Sequence, residues 1–350
     1  MAAVSSAAPG LDSVRDACYH GKLTALKRLA SEGALAAALA AEGDDDFCER
    51  SVLYLAAMKG HIPVVAYLLA QGVQPDVYGS TAAGFTRPLH VAAQNGHAGV
   101  VAKLLAAGAE ADARGGRCPG CSPLYVAAQN GHVDVIAALL DYGAEPTCPW
   151  SPASALWAAV QHKHLAAVLK LAESPRVDLA VGHGGTPPLF LASQLGWCEG
   201  VKALLRRGAD AAAVSQDSGA TPLLVAVLEG HIEVARELLS DPRGRCDPNA
   251  VEPSRGMSAL HIACVRGTAA MLRLLMSAGA DPTLCDRAGL VPLAHAAAVG
   301  NVEAVRAMVA ARAPPGGDSR AWCTPVEIAR RQCHQSVCRL LDTAAIACPR

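Results

Sequence analysis

The chain has 350 residues, with 30 Lys and Arg against 31 Asp and Glu, and a formal net charge of −1. This balance argues against a nucleic-acid binder, which needs a concentrated basic surface. Hydrophobic residues make up 52% of the chain but aromatic residues only 4%, so the apolar content is mostly Ala, Leu and Val. Small aliphatic side chains favour closely packed helices over a β-sandwich, whose strands need β-branched and aromatic residues.

The sequence predicts neither a membrane-spanning segment nor a secretory signal. The longest low-polarity run near the N-terminus, 34–41, is far shorter than the ~20 residues of a spanning helix. The opening ten residues lack the basic and apolar regions of a signal peptide. The 13 cysteines are therefore expected to be reduced thiols. The expected location is the cytoplasm, with the nucleus as the alternative.

A repeated motif runs through the whole chain. The stretches 86–110 and 122–145 share V-A-A-Q-N-G-H followed by a second apolar run and G-A-E. The glycine of this motif recurs at Gly21, Gly60, Gly96, Gly131, Gly196, Gly230, Gly267 and Gly300. The distance from Gly21 to Gly300 is 279 residues over eight intervals, which gives a period of about 35. Lys163 fills the one missing position, and Cys333 takes it in a degraded tenth copy.

Each copy predicts two short helices joined by a tight turn. In the copy at 122–145, Ser122 fits a helix N-cap, and Pro123 fits the first helical position. Gly131 ends this first helix, because a left-handed residue there is least costly for glycine. The second helix carries one apolar stripe, which consists of Val135, Ile136, Leu139 and Leu140. One such pair cannot bury its apolar faces alone, so neighbouring copies must stack.

These residues resemble the ankyrin-repeat family, whose unit of about 33 residues carries a T-P-L-H-x-A signature. The matching segments are Thr221-Pro222-Leu223, Ser258-Ala259-Leu260-His261, Thr186-Pro187-Pro188-Leu189 and Thr324-Pro325-Val326. The resemblance implies an all-α solenoid of about ten stacked helix-turn-helix repeats with hairpin-like loops. The fold alone does not specify a particular function.

In chain order, residues 1–11 are expected to be disordered, and the ankyrin-repeat domain to cover 12–345. Its first and last repeats are degenerate and are expected to cap the stack. An acidic, solvated insertion is predicted at 34–50. The repeat at 154–178 is irregular, because it lacks both the repeated glycine and the closing Gly-Ala. Residues 346–350 are predicted to be a C-terminal tail.

Candidate chemical groups are better explained by the repeat. His61, His97, His132 and His231 occupy one fixed position per copy, which indicates a structural hydrogen bond to the backbone of a turn rather than a metal site. Cys118-Pro119-Gly120-Cys121 has the C-x-x-C spacing of zinc or redox sites, but no second pair accompanies it. No nucleotide-binding or hydrolase motif is present. The sequence therefore predicts no enzyme activity, no metal and no cofactor.

The function that the resemblance implies is a non-enzymatic scaffold or adaptor for protein–protein interaction. Ankyrin-repeat proteins bind partners on the concave surface, through hairpin tips and through the two residues ahead of the repeated glycine. In this chain those pairs are Met58 and Lys59, Gln94 and Asn95, Gln129 and Asn130, Gln161 and His162, Gln194 and Leu195, Leu228 and Glu229, and Val265 and Arg266. They vary between copies, as a recognition surface should.

Two other functions remain open at this point. One is a substrate-recognition subunit of a ubiquitin ligase, although no SOCS or F-box segment is recognised in the sequence. The other is a thiol or zinc protein that uses Cys118 and Cys121. The expected partners are one or more proteins, without nucleic acid or membrane insertion, and the chain is expected to be monomeric by itself.

Overall fold

A computed structural model describes residues 11–43, 51–77, 79–81, 84–115, 121–147, 153–311 and 324–347. The chain divides into two compact units, Met1–Asp178 and Leu179–Arg350. We call them the N-terminal unit and the C-terminal unit. The boundary falls directly after the irregular repeat, which is the fifth in chain order. No described helix is long and apolar enough to cross a membrane.

The N-terminal unit holds five helix pairs, one additional helix and one short hairpin among its described residues. The helices are α1 (Leu11–Tyr19), α2 (Leu23–Ser31), α3 (Ala34–Gly43), α4 (Val52–Lys59), α5 (Ile62–Ala70), α6 (Pro88–Gln94), α7 (Ala98–Ala106), α8 (Pro123–Gln129), α9 (Val133–Asp141), α10 (Ala155–Gln161) and α11 (Leu165–Leu171). The hairpin pairs β1 (Gly79–Thr81) with β2 (Gly84–Thr86) in antiparallel register. It occupies the connection between the second and third repeats.

The C-terminal unit holds five further helix pairs in its described residues. The helices are α12 (Pro188–Gln194), α13 (Cys198–Arg207), α14 (Pro222–Leu228), α15 (Ile232–Leu239), α16 (Ala259–Arg266), α17 (Ala269–Ser277), α18 (Pro292–Val299), α19 (Val302–Ala310), α20 (Pro325–Arg331) and α21 (Gln335–Ala347). In both units the first helix of each repeat packs against the first helices of its neighbours, and second helices pack against second helices. The predicted all-α fold of stacked helix pairs with hairpin-like loops is confirmed.

The local signals act as the sequence predicted. The Ser122 hydroxyl accepts a hydrogen bond from the Tyr125 N–H at 3.1 Å, so Ser122 caps α8. Gly131 ends the first helix of that repeat with a left-handed φ of 74°. In the second helix Val135, Ile136 and Leu139 are fully buried, whereas the fourth predicted stripe residue, Leu140, is half-buried. The two helices therefore bury one shared apolar face.

The prediction of a solvated insertion at 34–50 was wrong for its first part. Residues 34–43 form α3, which packs against α1 and α2. Leu35 and Ala38 are buried in that contact. Ala and Leu are strong helix formers, and the run is long enough for almost three turns. The acidic residues at 44–50 lie outside the described residues.

One repeated glycine does not have the predicted conformation. Gly267 has φ −80° and ψ 164°, which is extended rather than left-handed backbone. The next residue, Thr268, explains the difference because it stands where most other repeats have histidine. Its hydroxyl caps α17 by accepting from the Met271 N–H at 3.3 Å. The turn of the eighth repeat is therefore built on a threonine cap.

The first and last helices extend slightly beyond the predicted limits of the repeat domain, 12–345. α1 begins at Leu11, and residues 1–10 lie outside the described residues. α21 continues to Ala347, two residues into the predicted tail. The two degraded turn positions keep the shape of the other turns, because Lys163 and Cys333 are left-handed with φ 58° and 61°. Each costs about 1–2 kcal/mol of backbone strain relative to glycine.

Arg176 adds several polar contacts between the irregular fifth repeat and the fourth. The Arg176 guanidinium donates to the carbonyl oxygens of Ala144 at 3.0 Å and Gly143 at 3.3 Å, both at the end of the fourth repeat. It also pairs with the Glu145 carboxylate at 3.4 Å. These bonds satisfy carbonyl groups after the last turn of α9.

We expect the fifth repeat to exchange its amide hydrogens faster than the third and fourth repeats. Its second helix, α11, is two residues shorter than α9, and Lys163 adds backbone strain. Stability in stacked repeats is roughly a sum of repeat and interface terms. Hydrogen exchange followed by mass spectrometry should show faster exchange at 157–178 than in α6 to α9.

Arg176→Ala supplies the matched variant for this measurement. It should accelerate exchange at 157–178 further and leave α6 and α7 unchanged. Equal or slower exchange at 157–178 in the unaltered chain would show that the irregular turns cost little.

Candidate partner-binding site

The fourteen residues predicted to contact partners lie where the first helices end. Each is the last residue of a first helix or its immediate neighbour, and each is half-buried or exposed. In the N-terminal unit they are Met58, Lys59, Gln94, Asn95, Gln129, Asn130, Gln161 and His162; in the C-terminal unit they are Gln194, Leu195, Leu228, Glu229, Val265 and Arg266. Their predicted role in binding is not tested by this placement and stays a prediction.

The recurring histidines hold successive repeats together at this same edge. His97 Nε2 donates to the Met58 carbonyl oxygen at 3.1 Å, and His231 Nε2 donates to that of Gln194 at 3.1 Å. The same bond joins His61 to Tyr19, His132 to Gln94, His164 to Gln129 and His334 to Ala298. The predicted structural role is confirmed, and the acceptor lies in the preceding repeat.

Several polar residues among those predicted to contact partners in the N-terminal unit also make structural contacts. The Asn95 side-chain amide donates to the Met58 carbonyl oxygen at 3.0 Å, and that of Asn130 donates to a carbonyl of its own helix at 2.8 Å. The Lys59 ammonium lies 4.4 Å from the centroid of the Tyr19 ring, as a cation–π contact. Asn95 and Lys59 therefore contact the preceding repeat as well as face solvent, whereas Asn130 stabilises the end of its own helix.

In the C-terminal unit five of the six predicted residues, all except Leu195, line one groove of about 950 Å³. Its floor is apolar and comes from the first helices, chiefly Phe190, Leu224 and Ile262. One wall consists of the helix ends of the sixth to eighth repeats, with Gln194, Leu228, Glu229, Val265 and Arg266. The other consists of the loops before α14 and α16. A seven-residue helix is about 10 Å long, so the two walls stand roughly that far apart.

The charged residues of the groove are ordered by repeat. In the seventh repeat, the loop wall carries Asp217 and the helix-end wall carries Glu229. In the eighth repeat, the same two walls carry Arg255 and Arg266. All four side chains are exposed. The groove is therefore acidic on both walls at one repeat and basic on both walls at the next.

Glu252 also lines the groove, but its carboxylate is bound within its own loop. Oε1 accepts from the Arg255 N–H at 2.7 Å, and Oε2 accepts from the Ser254 N–H at 2.8 Å and from the Ser254 hydroxyl. Burial alone would raise the pKa of Glu252, yet these hydrogen bonds hold it below its usual value. The carboxylate orders the loop that presents Arg255.

An exposed leucine lies in the wall of this groove. Leu228 is 40% exposed although it ends a helix whose first six residues are buried. Neighbouring Val265 and Met257 are half-buried. An apolar side chain in a concave surface is a common feature of binding sites. Leu228 is the strongest candidate here for direct partner contact.

Sequence reasoning did not single out the loop residues of the groove, among them Asp217, Ser218, Arg255 and Met257. It named hairpin tips only in general terms, because these connections differ between repeats in length and composition. The floor residues carried a usable signal, since Phe190 and Leu224 occupy the same position after the recurring Pro-Leu step of their repeats. The residues of the loop wall could be identified only from the folded structure of the loops.

The residues considered for chemistry do not form a reactive centre in the described part of the chain. Cys121 is fully buried, and Cys118 lies outside the described residues. His162 and His164 lie in the turn between α10 and α11, with ring centroids 6.2 Å apart. Among the described residues, no three His, Cys, Asp or Glu side chains cluster as metal ligands would.

Comparison with known proteins identifies the family of the chain. A family model described as "Ankyrin repeats (3 copies)" matches the overlapping segments 15–115, 83–149, 156–252, 189–286, 243–316 and 260–346. These segments cover most of the sequence, and the chain belongs to the ankyrin-repeat family. Ankyrin repeats generally mediate protein–protein interaction.

Individual relatives share the repeats over limited lengths. The chain is 38% identical over 135 residues to the mouse B-cell lymphoma 3 protein homolog, covering 37% of this chain and 29% of that protein. It is 43% identical over 109 residues to human SH3 and multiple ankyrin repeat domains protein 1, covering 31% and 5%. The chain thus spans about a third or less of the length of the curated relatives it matches.

A solved structure agrees with the fold. The crystal structure of the human ASB11 ankyrin repeat domain superposes with a TM-score of 0.53 at 26% identity, over 67% of this chain and 100% of that domain. This similarity supports stacked ankyrin repeats.

Proposed function

We propose that this protein is a non-enzymatic scaffold or adaptor that binds partner proteins through the edge formed by its first-helix ends and hairpin loops. The groove of the C-terminal unit carries this proposal. It collects five of the predicted contact residues around an apolar floor, and Leu228 projects into it. The expected location is the cytoplasm, where the 13 cysteines would stay reduced, with the nucleus as the alternative.

The two other functions from the sequence receive no specific support. A ubiquitin-ligase subunit would need an observation that links the chain to the ligase, and neither the described residues nor the named relatives supply one. A thiol or zinc protein would need reactive cysteines. Cys121 is buried, and its carbonyl oxygen accepts a hydrogen bond from His90 at 3.0 Å, so its backbone has a structural role.

We expect Leu228→Arg to weaken binding of partners at the groove at least tenfold, while the fold stays intact. The variant places a charged side chain where an apolar contact is proposed. Leu228 is 40% exposed, so the arginine can reach solvent and the free energy of unfolding should change by less than about 0.5–1 kcal/mol. Partners are first captured with the full chain and identified by mass spectrometry. Each is then titrated as a purified protein against both chains by calorimetry.

Leu169→Arg is the matched control. Leu169 is 38% exposed and lies on a second helix, α11, outside the groove. Every purified partner that binds the unaltered chain should bind this variant with the same affinity. If all partners bind Leu228→Arg as tightly as the unaltered chain, the groove is not the binding site.

A further inference from the structure

We propose that the groove of the C-terminal unit binds an extended peptide segment with a basic side chain over the seventh repeat and an acidic side chain over the eighth. An apolar side chain between them would lie on the floor beside Leu228. This inference rests on the proposed function, because it names the chemistry of the partner at the same site.

The order of charges on the two walls is the first support. Asp217 and Glu229 line the groove from opposite ends of one repeat, and Arg255 and Arg266 do the same one repeat later. When Glu252 is counted, the net charge of the groove-lining side chains is +1 in the eighth repeat and −2 in the seventh. Its oxygens are already occupied by the N–H and hydroxyl donors of its own loop, so it offers little to a ligand.

The availability of these four charged groups is the second support. Among the described residues, none of the four forms an ion pair with another side chain of the protein, and all are exposed at the rim. Some charged groups elsewhere in the same unit are paired, as Lys202 is with Glu237 at 3.2 Å. Charges that have no partner inside the fold are available to a ligand of opposite sign.

The spacing of the repeats fixes the spacing of the two charges on the ligand. First helices of adjacent repeats pack about 8–10 Å apart. An extended chain rises about 3.3 Å per residue, so the basic and acidic residues should be about three positions apart. Successive side chains of an extended segment point to opposite sides. Within one repeat the two walls carry charges of the same sign. A charged side chain of the ligand therefore meets an opposite charge whichever wall it points to.

The test is a selection of random twelve-residue peptides displayed on phage, against the immobilised full chain. Clones that bind the unaltered chain but not Leu228→Arg define the groove-dependent set. We expect these clones to share a basic and an acidic residue two to four positions apart, with an apolar residue between them and one order from N- to C-terminus. The shared sequence is then synthesised as a labelled peptide and titrated by fluorescence polarisation.

The inverted chain Glu229→Arg/Arg266→Glu, in which the charges of the helix-end wall are exchanged and those of the loop wall are kept, makes the test specific. Both residues are exposed, and circular dichroism and melting check that the inverted chain folds. The selected peptide should bind it about tenfold more weakly, and the same peptide with its two charges exchanged should show the opposite preference. Such a reversal requires an ordered pair of charges in the ligand.

The two ways of failing are distinct. Groove-dependent peptides that lack the charge pair, place it at another spacing or bind both chains equally would overturn the charge order and leave the groove as a binding site. If selection yields no clones that distinguish the unaltered chain from Leu228→Arg, the groove does not bind extended peptides and this inference fails. The proposed function fails separately, if the captured partner proteins bind Leu228→Arg as tightly as the unaltered chain.

Discussion

Gly196→Ala is expected to lower the free energy of unfolding by about 3 kcal/mol, against about 1–2 kcal/mol for Gly230→Ala. Both glycines are left-handed, with φ 63° and 78°, so alanine introduces similar backbone strain at either position. A Cβ on Gly196 would also stand 2.6 Å from the ring of His231, whereas nothing lies within 4 Å of one on Gly230. The difference arises because the repeat after Gly230 has Thr268 in the histidine position.

The extra cost at Gly196 comes from displacing a ring that holds two repeats together. His231 would have to move and lose its hydrogen bond to the Gln194 carbonyl oxygen. Chemical denaturation followed by circular dichroism measures both variants in the same unit. In a His231→Ala background the ring is absent, so Gly196→Ala should then cost no more than Gly230→Ala does. Equal losses for the two variants in the unaltered background would contradict this explanation.

The sequence was sufficient to predict features that depend on residues within one repeat. Ser122 was recognised as a cap, and its hydrogen bond to the Tyr125 N–H lies within a single turn of helix. Periodicity also identified the histidine position as structural. It could not identify the acceptor, because His231 and Gln194 are 37 residues apart in sequence. A recurring position shows that a residue has a regular role, but only stacking shows which carbonyl it reaches.

Features without a counterpart in other repeats were the ones that the sequence did not predict. Residues 34–43 have no apolar stripe that repeats elsewhere, and their helix became evident only from its packing on α1 and α2. Asp217 and Arg255 lie in loops whose lengths differ between repeats, so no register relates them. Their alignment on one groove wall results from the helices that carry the loops. The helix-end wall of the candidate site was therefore predictable from the sequence, whereas the loop wall could be found only from the fold.

Acid is expected to destabilise the protein through a buried histidine, His90. This residue is 1% exposed, and its Nε2 donates to the Cys121 carbonyl oxygen at 3.0 Å. Burial lowers the pKa of His90 from 6.5 to about 4. The repeat after it has Tyr125 in the same position, 6% exposed, which shows that an aromatic side chain without a titratable imidazole fits there.

The sign of the effect follows from the two protonation states. Above about pH 6.5 the imidazole is neutral in both the folded and the unfolded chain, so it has no influence on the pH dependence. Between about pH 6.5 and 4 the unfolded chain binds the proton and the folded chain does not, so stability falls as pH falls. Between pH 7 and pH 5 this single group should remove about 2 kcal/mol from the free energy of unfolding.

His90→Tyr isolates this contribution from that of the carboxylates, which titrate in both chains. The variant loses the bond to Cys121 and should be about 1 kcal/mol less stable at pH 7. Its stability should then fall less on acidification, so that the difference between the chains shrinks, reverses between about pH 6 and 5.5, and has the opposite sign at pH 5. The exchange in the other direction, Tyr125→His, should add acid sensitivity of the same sign, because the imidazole would be buried there. Urea unfolding at pH 7, 6 and 5 measures all three chains. A constant difference between His90→Tyr and the unaltered chain over this range would mean that His90 is protonated equally in the folded and unfolded states.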